Sequence, residues 1–192
     1  GSQPYEALND YDGDGISDLA VVCDGHWCIR SVDGRAIVSG AFWGGAGFQP
    51  ICGDYDGDKI SDLAVYGAGS WYVITMQCKA ILAKALWGGA EFEPVCGNFD
   101  GIGGFDLAVY SYLTGNWYIR SVSGNLIIYG EGWGSMDLEP VPGDYDGDGS
   151  WDMAVYSPNT GTWYIRTVDG RLLQWSFAWG GPGYEPVAGD YD

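Results

Sequence analysis

The chain has 192 residues, 46% of them hydrophobic, so it can bury a sizeable core and is no disordered acidic tail. Its formal net charge of −18 argues against nucleic acid and anionic membrane as partners, since both call for a positive surface. No apolar run approaches the roughly 18 residues of a membrane span. With 33 Gly, 10 Trp and 14 Tyr and no long helical pattern, the composition predicts short strands joined by tight turns.

In chain order, Gly1-Ser2 reads as a cloning remnant, which leaves room for a removed leader. The first acidic string, DYDGDGISD at 10–18, places carboxylates at Asp10, Asp12, Asp14 and Asp18. Trp27-Cys28-Ile29-Arg30, the turn Asp33-Gly34 and an apolar stretch closing on Trp43-Gly44 follow. Cys23 and Cys28 flank the turn 24–27, a spacing compatible with a cross-hairpin disulfide, and His26 in that turn reads as a surface residue.

The pattern then restarts. Gln49-Pro50-Ile51 leads into a second string with Asp54, Asp56, Asp58 and Asp62, in which Lys59 replaces the glycine of the first. Trp71-Tyr72-Val73-Ile74 and Trp87-Gly88 complete that unit. The third string keeps Asn98, Asp100 and Asp106 but carries Ile102 at its centre, so no tight metal site is expected there. The fourth is complete again, with Asp144, Asp146, Asp148 and Asp152. Asp190 and Asp192 begin a fifth. Between them lie Trp117-Tyr118-Ile119-Arg120, Trp133-Gly134, Trp163-Tyr164-Ile165-Arg166 and Trp179-Gly180.

Counted from the first position of each string, the intervals are 44, 44, 46 and 46 residues. A period of that size with four strand-length segments per unit predicts antiparallel four-stranded sheets. The units run over 4–47, 48–91, 92–137 and 138–183, in one domain of 1–192, with 184–192 an extra copy of the first strand.

Carboxylates at positions 1, 3, 5 and 9 of a tight loop repel one another unless a hard divalent cation neutralises them. The loop shares its opening with the EF-hand, but lacks that motif's glutamate and flanking helices. Two or three calcium sites are therefore expected, with loop two weaker because of Lys59. The simplest competing account is that Asp-Gly strings form turns; three complete copies in register favour metal. Cys52 and Cys96, at one repeat position, read as small buried residues.

Gly-Asp-Tyr-Asp-Gly-Asp-Gly followed by Asp-hydrophobic-Ala-Val, recurring along the chain, resembles the FG-GAP/VCBS repeat family, the integrin-type β-propeller blades. The resemblance implies an all-β β-propeller of four-stranded antiparallel blades with calcium in the loop between the first two strands. Five first-strand sequences against four blades leave three arrangements open: a displaced terminal copy, pairing with another molecule, or a longer array. A closed four-bladed ring is the favoured expectation, with the C-terminal copy closing it.

The function expected is non-catalytic: a secreted or cell-surface calcium-binding adhesion module with a carbohydrate or protein ligand, in its sharper form a lectin. The alternative is a purely structural domain of a larger secreted or surface protein, and a polysaccharide-acting enzyme is a remote third reading. No nucleophile–base pair or histidine metal motif is present. Trp43, Trp87, Trp133 and Trp179 are candidate sugar platforms, though a residue repeated in every unit more often packs between units. Trp151 and Trp175, which occur in one repeat only, are better candidates for exposed binding. Trp27, Trp71, Trp117 and Trp163 are expected in the core, and Arg30, Arg120 and Arg166 over apolar surface or paired with acids.

Overall fold

The computed structural model describes residues 9–187. Two compact units divide the chain, Gly1–Ala90 and Glu91–Asp192.

The first unit holds two antiparallel sheets. Among the described residues one has three strands, β1 (Leu19–Cys23), β2 (His26–Arg30) and β3 (Ala36–Phe42), in chain order. The other has four, β4 (Gln49–Ile51), β5 (Leu63–Gly67), β6 (Ser70–Ile74) and β7 (Ala80–Leu86). The second unit repeats the scheme with two four-stranded sheets. These are β8 (Phe92–Val95), β9 (Leu107–Ser111), β10 (Asn116–Arg120) and β11 (Leu126–Gly132), then β12 (Glu139–Pro140), β13 (Met153–Ser157), β14 (Thr162–Arg166) and β15 (Leu172–Ala178).

Turn chemistry explains both the sheets and the uneven repeat length. Cys23 pairs with His26, so the β1–β2 hairpin closes over two residues, Asp24 and Gly25, both at positive φ. Gly67 pairs with Ser70 over Ala68 and Gly69, again both at positive φ. This is the turn geometry that matches strand twist. In the second unit Ser111 pairs with Asn116 and Ser157 with Thr162, which leaves four-residue crests. The change from 44 to 46 residues is these two extra residues.

Each unit has its own core between its two sheets. In the first, Trp27 and Ile29 of β2 pack with Leu63 and Val65 of β5, flanked by Tyr72 and Ile74 of β6. In the second, Tyr110, Trp117 and Ile119 pack with Met153 and Val155. The central strands β9 and β13 are buried at every residue, whereas β3 and β15 are largely exposed. A central strand covered on both faces is apolar throughout rather than alternating, as Leu-Ala-Val-Tyr shows.

The expected closed four-bladed propeller is not formed. The four sheets are separate, and none closes or curls into a ring. The repeat encodes how one sheet lies on the next, a nearest-neighbour condition. Ring closure additionally demands that the first and last faces cover each other. Leu19 and Val21 on β1 and Trp179 after β15 are exposed instead. The extra first-strand sequence forms no strand over 184–187, and 188–192, like 1–8, lies outside the described residues.

The cysteine expectations also change. Across β1 and β2, Cys23 faces His26 and Cys28 faces Val21, so the two are not opposite each other, and both thiols are free. Cys52 and Cys96 are half-buried, and each is disulfide-bonded rather than a small packed residue.

Candidate metal centres

All four acidic loops share one scaffold. The carboxylate at the ninth position accepts the main-chain N–H of the second: Asp18 from Tyr11 at 2.8 Å, Asp62 from Tyr55 at 2.7 Å, Asp106 from Phe99 at 2.7 Å and Asp152 from Tyr145 at 2.9 Å. Where the first position is aspartate, its two oxygens accept the amides of the fourth and sixth residues. Asp10 takes Gly13 and Gly15, both at 2.7 Å. Asp54 takes Gly57 and Lys59, both at 2.7 Å, and Asp144 takes Gly147 at 2.8 Å and Gly149 at 2.9 Å. These bonds hold the loop backbone tightly folded around its carboxylates.

Three of each set of four aspartates converge. Asp10, Asp12 and Asp18 form one group, Asp54, Asp56 and Asp58 a second, and Asp144, Asp146 and Asp152 a third, each with ligand-capable oxygens within 4.8 Å of one another. The fourth carboxylate in each case lies outside the group and accepts a local amide, as Asp18, Asp58 and Asp152 within the groups also do. Asp14 accepts from Ile16 at 2.9 Å, Asp148 from Ser150 at 2.8 Å, and Asp62 is held by Tyr55. Loop three forms no such group among the described residues. Lys59 sits at φ +72°, the left-handed region in which its glycine counterparts lie.

The electrostatics reflect crowded negative charge. Burial, above all, raises the Asp18 and Asp54 carboxyls above their ordinary values, with neighbouring loop carboxylates adding to the effect. The same causes push Asp62 up to about 7 and Asp152 up to about 6. Two arginines answer part of the charge: Arg35 is ion-paired with Asp12 and Arg171 with Asp146. Neither was singled out from sequence, although the recurring Asp-Gly-Arg at 33–35 and 169–171 was a usable signal.

The donor set suits a hard divalent cation: carboxylate oxygens only, three per group. Asp12 Oδ1 is buried without a hydrogen-bond partner, an orphaned acceptor within the first group. These residues fit calcium, with Asp10, Asp12 and Asp18, then Asp54, Asp56 and Asp58, then Asp144, Asp146 and Asp152 as the side chains that would hold it.

The tryptophans separate by role. Trp27, Trp71 and Trp117 are fully buried, and Trp163 is half-buried. Their indole N–H groups donate to the main-chain carbonyls of Trp43, Trp87, Trp133 and Trp179 respectively. The Trp-Gly residues are thus anchored by their backbones, with Trp43, Trp87 and Trp133 half-buried. Trp43 lines a cleft of about 400 Å³ with Phe42, Phe48, Val65 and Tyr72. Trp151 is a packing residue rather than an exposed one: its ring lies 5.4 Å from that of Phe105, and its amide donates to Asn98. Trp175 is exposed, with its ring 5.2 Å from Tyr164 and 5.9 Å from Trp133. Arg166 lies over the Trp133 ring at 5.3 Å and pairs with Glu131 at 3.1 Å. His26 is exposed at the start of β2 with its ring edge-on to Phe42.

No family model and no curated protein matches the chain. One solved structure is similar, a protein of unknown function from Bacteroides caccae, with a TM-score of 0.52 and 12% sequence identity. The match covers 82% of this chain and 56% of that one, so the chain spans little more than half the length of its structural neighbour. At that identity the likeness is one of fold alone.

Proposed function

We propose that the chain is a calcium-stabilised, non-catalytic binding module of the FG-GAP/VCBS repeat type, acting outside the cell in adhesion or ligand capture. The observation that supports this reading is the set of three carboxylate groups in equivalent loops, one of them with a buried acceptor that has no partner. Bound calcium would supply charge neutralisation and, in loops one and four, tie the start of the loop to its end. Millimolar extracellular calcium keeps even modest sites filled. The disulfide-bonded Cys52 and Cys96 suit an oxidising compartment.

Two aromatic surfaces support a carbohydrate as ligand. One is the cleft walled by Trp43, Phe48 and Tyr72; the other is the exposed Trp175 beside Trp133, with Arg166 and Glu131 as polar neighbours. Flat apolar rings next to charged hydrogen-bonding groups match the two faces of a sugar ring. A purely structural role is the second reading, favoured by the repeated anchoring of the Trp-Gly backbones.

Calorimetric titration with calcium, paired with thermal melts in calcium and in chelator, tests the metal. Two or three sites and a higher melting temperature in calcium are expected, with Asp146→Ala removing one site. Identical melts and no binding heat would overturn it. Glycan-array binding lost in Trp175→Ala would identify the ligand class; silence on the array together with a recovered protein partner would exclude sugar.

A further inference from the structure

The two joints between sheets inside the units are built alike. In the first unit the Ser61 amide of loop two donates to the Asp10 carbonyl of loop one at 2.6 Å. In the second the Trp151 amide of loop four donates to the Asn98 carbonyl of loop three at 2.8 Å. Ser61 and Trp151 occupy the eighth loop position, and Asp10 and Asn98 the first. Beneath each such bond, one sheet presents Trp and Ile from its next-to-last strand, Trp27 and Ile29 of β2 or Trp117 and Ile119 of β10. The other presents two apolar residues from the strand after its loop, Leu63 and Val65 or Met153 and Val155.

One half of this joint is exposed in the first unit, and the rim of the other half is exposed in the second. Leu19 and Val21 stand where Leu63 and Val65 stand, yet are 58% and 69% exposed against 4% and 3%. They border a cleft of about 410 Å³ that Cys28, Arg30 and Ala36 also line. The complementary half is partly open on the β12–β15 sheet: Ile165 is buried at 7% and Trp163 half-buried, while the residues around them are exposed. Trp179 is 74% exposed where Trp43 and Trp133 are half-buried, and Tyr184 is exposed where Phe48 and Leu138 are half-buried. Tyr145 is 40% exposed, whereas its counterparts Tyr11, Tyr55 and Phe99 are buried.

We propose that a second copy of this chain docks head to tail, seating its β12–β15 sheet on the β1–β3 face of the first. The joint reproduces the two internal ones: Leu19 and Val21 take the place of Leu63 and Val65, against Trp163 and Ile165 of the second copy. Loop four lies over loop one, where the Asp144 carbonyl can accept the Ser17 amide, the pairing of Asp10 with Ser61. Because the two surfaces differ, the contact is heterologous, and repetition of it gives a closed ring of copies or an open chain. The contact does not require calcium, although neutralising loops one and four lowers the repulsion between copies.

Sedimentation velocity of the full chain over a concentration series tests the proposal, at raised salt with and without calcium. The wild type is expected to associate as concentration rises. Val21→Glu and Trp179→Glu change exposed side chains, and circular dichroism checks that both variants are folded. Each alone should be monomeric, while an equimolar mixture should give a dimer, because each variant retains the surface the other has lost. A monomeric wild type, or folded variants that do not complement, would overturn it.

Discussion

The indole N–H of Trp117 donates to the main-chain carbonyl of Trp133 at 2.7 Å, across sixteen residues of chain. The same bond at the same spacing occurs in every repeat, so it ties the next-to-last strand of each sheet to the turn after the last. Trp117→Phe removes the donor and strands a carbonyl beside a fully buried ring. A loss of about 3 kcal/mol is expected, from the unmet acceptor plus the smaller ring. Trp163→Phe should cost less, since water reaches that half-buried site. Urea titrations of the two variants check the order.

Gly115→Ala should be among the worst tolerated changes in the second unit. Gly115 lies at φ +72°, and an added Cβ would collide with the Gly134 carbonyl group. The backbone cannot give way without displacing the Trp133-Gly134 turn. Gly124→Ala, also at positive φ but facing open space, should cost only about 1 kcal/mol. Soluble yield and thermal melts of the pair separate steric collision from dihedral strain.

Lys59→Gly should stabilise the first unit. Lys59 occupies the left-handed region at φ +72°, which costs a side-chain-bearing residue roughly 1–2 kcal/mol. Its amide bond to Asp54 does not depend on the side chain and survives the change. Chemical denaturation in chelator should show a gain of about 1 kcal/mol. No gain, or a loss, would mean that the lysine side chain contributes more than the backbone strain removes.

Asp106 sets a pH dependence that calcium should not mask, because loop three lacks the third carboxylate. Burial pushes this carboxyl up to about 6 despite the amide of Phe99. A folded-state value above the unfolded one means that its contribution is fully present below about pH 4 and is lost as pH rises through about 6. Asp106→Asn keeps an oxygen for the Phe99 amide and abolishes the titration. The fall in stability between pH 4 and pH 7 should be smaller in the variant by roughly 2–3 kcal/mol, an upper figure from the size of the shift. Urea titrations across that range provide the check, and parallel curves would count against it.

Much of this was legible because turn residues and metal-type carboxylates act locally. Asp24-Gly25 marks a turn from its own backbone preferences, although its extent was overread as 24–27 when strand pairing resumes at His26, and Trp27 was rightly placed in the core. The convergence of Asp10, Asp12 and Asp18 could be narrowed to four candidates but no further. Which carboxylate stays out is not set by the amide two residues on, since Asp14 and Asp58 both accept one and only Asp58 converges. Arg35 reaches Asp12 from 23 residues on, a pairing that local spacing hides. Trp151 was misread for a related reason: being unique to one repeat suggested exposure, but its partner Phe105 is equally unusual. Ring closure was the largest miss, since every repeat specifies its neighbour and none specifies how many neighbours there are.

The four-residue crests at 112–115 and 158–161 show where length can be added. Two residues more than in the first unit are accommodated there without altering the strand pairing on either side. The outer part of the crest, with Tyr112 and Leu113 exposed, is therefore a natural insertion point for a displayed peptide, provided the glycine abutting the Trp-Gly turn is kept. Graft tolerance at Leu113 and its failure one turn later, beside Gly115, would map the border between variable crest and fixed frame.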